Sequence, residues 1–400
     1  MSDSVPDMLL SDKPLEAPED DRLGYASFAE RIAECVSTRI PVDGLVTAIH
    51  GAWGSGKSTA LNFVEHYLEA LPDAERPIVV RFNPWWFTGR EDLTLQFFGH
   101  LLCGLDDSKV GTEQLRSSLA DLAGLVSKLP VPYLKEATLI AETLLKPNRK
   151  NVEKLKADIA SKLSSQDRQM VVVIDDVDRL DKDEIRLLFG VIKGVADFPN
   201  VCYLMAFDME VVVKALDSAQ GIRGDDYLKK IVQVPVQLPL PPRKALELML
   251  LESLNVLFEG TPPELKDKLR WDKFFTDGIR HFIETPRDAL RLANSVAMFY
   301  RYIRNELECA DYVALMTLSA FCPLVYRVIE SNRDMFAELT TEDFRDRSKR
   351  EAVESFHKSW LREVPRKERK RVVSLVMVMF PVLESILRGI DLEGLDRGKD

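Results

Sequence analysis

Short apolar runs rich in β-branched residues alternate with longer stretches whose apolar positions return every three to four residues. Residues 45–49 (LVTAI) form the first such run, and Ala60, Leu61, Phe63, Val64, Tyr67 and Leu68 follow at helical spacing. Residues 78–82 (IVVRF) and 170–174 (MVVVI) predict the second and third strands, and the third, apolar throughout, reads as buried on both faces of a parallel sheet. Ile185, Leu187, Leu188, Val191, Ile192 and Val195 predict a crossover helix into a fourth strand at 201–207 (VCYLMAF). Val211, Val212 and Leu216 predict a short helix, residues 221–226 a mobile loop, and the stretch 227–236 (YLKKIVQVPV) a fifth strand with a basic pair just ahead of it. Strands alternating with helices predict an α/β core with a mainly parallel five-stranded sheet.

Around this core lie segments of different character. Residues 1–20 read as a flexible acidic lead, and Phe28, Ile32, Ala33 and Val36 as an amphipathic helix feeding the first strand. A helix is expected over 92–105. Residues 108–168 predict a mostly helical insertion broken at Pro130, Pro132 and Pro147. After Pro239, Pro241 and Pro242 only helical spacing remains. The expected division is therefore a core at 21–107 and 169–242, an insertion at 108–168, and a helical lid or effector domain at 243–400. Apolar positions between Val372 and Leu387 suggest a helix that wants a partner, and the abrupt stop beyond Gly394 reads as a piece cut from a longer protein.

Composition narrows the function classes. The net charge of −10 argues against a wholesale nucleic-acid coat and leaves room for a local basic patch. Arg362, Arg366, Lys367, Arg369, Lys370 and Arg371 form such a cluster, read as a solvated helix face or an intramolecular partner for acidic surface. The five cysteines form no CxxC pair, which predicts reduced, buried thiols, and the scattered histidines give no metal-ligand spacing. The start lacks a secretory pattern, and the apolar run near 372–383 falls short of the roughly 20 residues a bilayer requires. A cytoplasmic location and no membrane span are expected.

Between the first strand and its helix lies GAWGSGKS at 51–58, a glycine, four free positions, then Gly-Lys-Ser. Gly51, Gly54 and Gly56 let consecutive amides converge on phosphates at the positive end of a helix, with Trp53, Ser55 and Thr59 lining the loop. Lys57 would reach the β and γ phosphates of ATP, and the Ser58 hydroxyl would ligate Mg²⁺. The third strand ends in Asp175, Asp176, Val177, Asp178 and Arg179, about 120 residues further on. Asp175 would hold the magnesium water shell and Asp176 would orient or deprotonate an attacking water. Arg179 would either stabilise transition-state charge or neutralise the acidic cluster.

Asn83, at the carboxyl end of the second strand, would position the water, restrain the catalytic carboxylate, or simply cap its loop. The neighbouring Trp85 and Trp86 are read as packing, in a core or an interface. Asp208, ending the fourth strand, would sense the γ-phosphate only through water or a cation. Asp21, Leu23 and Gly24 lie where such a domain meets adenine. Lys229 and Lys230 would face a neighbouring subunit's nucleotide or solvent. Thr285 and Pro286 mark a helix start, and Arg287 and Arg291, one turn apart, would act as a phosphate lid or as a surface ion-pair face.

The loop with its internal Trp53, Phe82-Asn83-Pro84-Trp85, Val173 through Arg179, Ala206-Phe207-Asp208, residues 227–233 and Thr285-Pro286-Arg287 together resemble the KAP family of phosphate-loop NTPases, within the signalling-type (STAND-like) ATPases. The resemblance spans roughly residues 11–300. It implies an ASCE-type sheet, Mg²⁺-dependent ATP binding and hydrolysis, and a conformational switch acting on protein partners or through self-association of the helical domain. Many members carry membrane helices between the loop and the Asp-Asp strand; the soluble insertion here resembles instead the cytosolic bacterial members, some of which look like components of anti-phage defence. Two other readings stay open: a nucleotide-gated scaffold with little turnover, and a nucleic-acid-stimulated motor. No Asn-Lys-x-Asp guanine motif is present.

Overall fold

The computed structural model describes residues 9–38, 44–87, 90–107, 113–127, 149–164, 168–194, 196–217 and 223–396. Contacts divide the chain into two compact units, one within Lys13–Leu240 and one combining Met1–Asp12 with Pro241–Asp400.

The first unit is built on β1 (Leu45–His50), β2 (Ile78–Phe82), β3 (Met170–Ile174), β4 (Val201–Phe207) and β5 (Val234–Gln237). They form one sheet in the order β2-β3-β4-β1-β5, and every pairing is parallel. Strand β4 therefore stands between the strand leading into the glycine loop and the strand ending in the aspartates. Both β3 and β4 are buried along their whole length, as their unbroken apolar runs require. Alternate side chains go to opposite faces. Val46, Val80, Val172 and Tyr203 join one core, and Ile49, Val171, Val173 and Leu204 join the other.

Helices α1 (Ala26–Thr38) and α2 (Lys57–Glu69) cover the second of these faces. The other is covered by α3 (Arg90–Asp107), α4 (Glu113–Ser127), α5 (Arg149–Ser164), α6 (Lys182–Gly194), α7 (Met209–Leu216) and α8 (Gly224–Lys229). Helices α4 and α5 fall within the segment read as a helical insertion; its proline breaks lie outside the described residues.

Four local expectations need correction, and the first concerns the thiols: Cys35 and Cys103, expected to be buried, are exposed, while Cys202, Cys309 and Cys322 are buried. Tyr227, Leu228 and Lys229 belong to helix α8, and the fifth strand starts only at Val234. Leu228 and Ile231 are buried in the turn of a helix end rather than on a pleat, which a β-branched run cannot reveal. Gly224 to Asp226, expected as loop, form the opening turn of the same helix. Finally, part of the expected free acidic lead is tied down: the Leu15 amide donates to Thr59 Oγ1 at 3.2 Å, and Asn62 Nδ2 donates to the Leu15 carbonyl at 2.8 Å.

The second unit is helical: α9 (Arg243–Leu257), α10 (Lys268–Asp277), α11 (Pro286–Ile303), α12 (Cys309–Phe321), α13 (Pro323–Ser331), α14 (Arg347–Leu361) and α15 (Arg366–Met379). The helix expected to want a partner has one, since Val372, Val373, Leu375 and Val376 of α15 are buried within this unit. Residues 9–12 belong here too: the Leu10 amide donates to Asn294 Oδ1 at 2.7 Å. Among the described residues no helix is long and apolar enough to cross a membrane.

Candidate functional site

The site lies at the carboxyl ends of the strands. Beyond β1 the chain turns through residues 51–56 with Gly54 at φ 80° and Gly56 at φ 94°, left-handed conformations that only glycine adopts freely. A Cβ on Gly56 would stand 2.7 Å from Tyr25 Cε2, and one on Gly51 would stand 2.8 Å from Ser55 Oγ. Lys57 then opens helix α2, whose N-cap Gly56 supplies no side-chain acceptor to the first-turn amides. The Ser55 hydroxyl is buried without a hydrogen-bond partner.

Lys57 is nearly buried. Its Nζ donates to the Gly51 carbonyl at 3.0 Å and the Ala52 carbonyl at 3.3 Å, and lies 3.2 Å from Asp178 Oδ2. Trp53 stands out of the loop, 69% exposed. The Thr59 hydroxyl, one turn along α2, is the acceptor for Leu15 described above.

Strand β3 delivers the carboxylates. Asp175 is buried, accepts a hydrogen bond from the Ser58 hydroxyl, and accepts the Asp176 amide at 2.8 Å. Burial raises its pKa, with the neighbouring Asp176 charge adding to the rise, while the Ser58 hydroxyl and the Arg81 charge oppose it. Asp176 sits at φ 57°, a left-handed conformation that aspartate tolerates better than most side chains. Both its oxygens are engaged: Oδ2 accepts from Asn83 Nδ2 at 2.9 Å, and Oδ1 lies 2.8 Å from Arg179 Nε.

Asn83 does two jobs at once. Its amide restrains Asp176, and its Oδ1 caps the turn Pro84–Trp86 by accepting the Trp85 amide at 3.0 Å. That turn leaves Trp85 and Trp86 49% and 70% exposed, so the pair does not pack in the core. Asp178 links the tips of three strands, since the oxygen beside Lys57 also accepts the Asp208 amide at 2.9 Å. The Asp208 carboxylate itself caps α7 through the Glu210 amide. Asp21 likewise caps a helix start, accepting the amides of Leu23, Gly24 and Ala26.

The structure thus brings together the loop, Lys57, Ser58, Asp175, Asp176, Asp178, Asn83 and Arg179. Other candidates have local partners. Arg287 Nε lies 2.8 Å from Asp12 Oδ2, and the Arg291 guanidinium stacks 5.6 Å above the Phe321 ring, both within the helical unit. Lys229 pairs with Asp225 and Asp226 on its own helix.

A polar layer behind the aspartates went unread in the sequence. Arg81 donates to Asn62 Oδ1 at 2.8 Å and to Glu65 Oε2 at 3.4 Å. Burial pushes the Glu65 carboxyl up to about 7 against the pull of Arg81, and its Oε1 has no hydrogen-bond partner. The available signal was spacing: Ser58, Asn62 and Glu65 recur at i, i+4 and i+7, one face of α2. Tyr25, which packs under Gly56, carries no sequence signal of that contact.

Comparison with known proteins bears on the family. The family model described as the KAP family P-loop domain matches residues 25–303. The chain is 25% identical over 380 residues to the Phage T7 exclusion protein of Escherichia coli (strain K12), covering 84% of this chain and 50% of that one. It therefore spans about half the length of the curated relative it matches. Among solved structures, the Aeropyrum pernix ORC2 protein aligns at 12% identity over 74% of this chain and 68% of that chain, with a TM-score of 0.36. A Thermotoga maritima RuvB mutant aligns at 13% identity over 80% of this chain and 81% of that chain, also with a TM-score of 0.36. Superpositions that loose add nothing to the strand order described above. With a glycine loop, its lysine and an aspartate-tipped strand assembled within the stretch the family model covers, the chain belongs to the KAP family of P-loop NTPases.

Proposed function

We propose that this chain binds ATP with Mg²⁺ at residues 51–59 and hydrolyses it, using the cycle as a conformational switch. The observation that carries this reading is the meeting of Ser58 with Asp175 beside the Lys57–Asp178 pair, which puts phosphate-binding and metal-binding chemistry at one spot. The residues fit a triphosphate. The cradle rejects a side chain at Gly56, the helix start keeps its amides uncapped, and a buried Ser55 hydroxyl lacks a partner.

Lys57 would contribute a charged donor to the phosphates, and Ser58 with Asp175 would hold magnesium. The bound ion would neutralise charge on the β and γ phosphate oxygens. Asp176 would orient the attacking water, and Asn83 and Arg179 would fix the direction in which its carboxylate faces. Arg179 pairs with Asp176, which favours charge neutralisation over transition-state stabilisation as its role.

A second reading, a nucleotide-gated scaffold with little turnover, draws on the same contacts. A carboxylate already held by an amide and a guanidinium must give up one of those contacts before it can take hold of a water. Phosphate release from ATP and GTP, with and without Mg²⁺, separates the two. Hydrolysis is expected with ATP and Mg²⁺, lost in Lys57→Ala, and lowered about 100-fold in Asp176→Asn with ATP binding retained. Tight binding without turnover in the wild type would favour the scaffold, and no nucleotide binding at all would end both readings.

The name of the Escherichia coli relative supports a role in excluding phage. Phage plating on cells carrying the protein tests it: protection should vanish with Lys57→Ala, and equal protection by both forms would detach the role from nucleotide.

A further inference from the structure

A glycine loop has little side-chain packing of its own, so its shape must be held from outside. Tyr25 stands on that outer side. It is 1% exposed, and its hydroxyl donates to the Ser55 carbonyl at 2.5 Å. Its ring edge fills the space a Cβ on Gly56 would take, 2.7 Å from that position. The ring is itself fixed in place. Asp21 accepts the amides of Leu23, Gly24 and Ala26 at 2.9, 3.2 and 2.8 Å, and the Tyr25 carbonyl accepts the Ala29 amide in the first turn of α1.

Peptide geometry turns this contact into an aiming device. In a planar trans peptide the carbonyl and the following N–H point in opposite directions. Pinning the Ser55 carbonyl towards Tyr25 therefore directs the Gly56 N–H away from the ring. That amide is the last before Lys57, at the N-cap of α2, where convergent N–H groups receive phosphate. We infer that Tyr25 is a positioning residue for phosphate recognition: its hydroxyl holds the Ser55–Gly56 peptide in the orientation that presents the Gly56 amide to the nucleotide. Burial pushes the phenol up to about 12, so it stays a donor throughout the physiological range. The inference rests on the nucleotide-binding reading above.

Tyr25→Phe keeps the ring under Gly56 and removes only the donor. Without it the loop samples other peptide orientations, and apparent affinity falls by the fraction still competent. The dissociation constant for Mg·ATP is expected to rise about tenfold, with ADP weakened in parallel because the amides serve phosphates common to both. The turnover number at saturating ATP should stay within about twofold, since the aspartates are untouched. A role confined to core packing would lower the melting temperature and leave both dissociation constants at the wild-type value, and that result would overturn the inference. Asp21→Ala is the second variant should Tyr25→Phe fail to fold: it loosens the turn that seats Tyr25, should raise the same constants several-fold, and unchanged constants would count against the idea equally. Wild type and Lys57→Ala are measured alongside. A wild type that binds no ATP defeats the reading of the site itself, whereas binding by wild type and Tyr25→Phe with equal affinity defeats this inference alone.

Discussion

His357 is a neutral histidine held at the centre of the helical unit. It is fully buried, its Nδ1 accepts the Trp360 indole N–H at 3.0 Å, and its Nε2 lies 3.2 Å from the Met335 carbonyl. An acceptor at Nδ1 leaves the proton on Nε2, where the carbonyl receives it. Burial pushes the pKa down from 6.5 to about 4. The folded pKa lies below the unfolded one, so the unfolded chain takes up a proton first as the solution is acidified. The stability this histidine contributes is complete above pH 6.5, drains as pH falls, and is gone near pH 4, a change of about 3 kcal/mol. Urea unfolding between pH 7 and 4 should show that slope in the wild type and lose it in His357→Gln; equal slopes would mean the ring is already charged. Arg369 shows a related point. Charge predicts a solvated or internally paired basic cluster, and Arg369 is 3% exposed, gripping Asp396 at 2.8 and 2.9 Å and the carbonyls of Leu361, Val364 and Leu392. Charge alone could not single it out. Spacing could, because Arg369, Val372, Val373 and Val376 share one face of α15.

Elements were legible wherever a local rule and the tertiary environment agreed. The apolar run of β3 required burial on both faces and has it, and the Thr-Pro start of α11 forms a full capping box. Thr285 accepts the Asp288 amide, and Asp288 accepts the Thr285 amide at 2.8 Å. Thr285→Ala should cost about 1 kcal/mol in urea unfolding, with the slope on denaturant unchanged. A cost near zero would show that Pro286 alone sets the helix start. Elements were illegible where the environment decided. In β5, Pro235 lies on an edge strand, where its missing donor costs no ladder bond, so the strand could be short and begin late. The exposure of Trp85 and Trp86 follows from the Asn83 cap, which turns the chain outward at the strand tip. Apolar character could not forecast that.

At the scale of the whole molecule, the candidate site was readable because its chemistry sits at strand ends, which sequence order and parallel topology place together. Less readable were the partners each group takes there: Lys57 on Asp178, Arg179 on Asp176 and Tyr25 on Ser55, set by approaches between segments 30 to 121 residues apart in two of the three cases. A switch makes a further demand. Ligand can shift a conformational equilibrium only by its differential affinity for the two states, so ATP and ADP must leave different imprints on the unit that transmits the signal. If the helical unit is that transmitter, amide hydrogen exchange across Pro286–Ile303 should differ between the ATP-bound and ADP-bound protein, and the difference should vanish in Lys57→Ala. Identical exchange in that helix with either nucleotide, in a wild type shown to bind both, would leave a nucleotide-binding protein whose ligand the helical unit does not read.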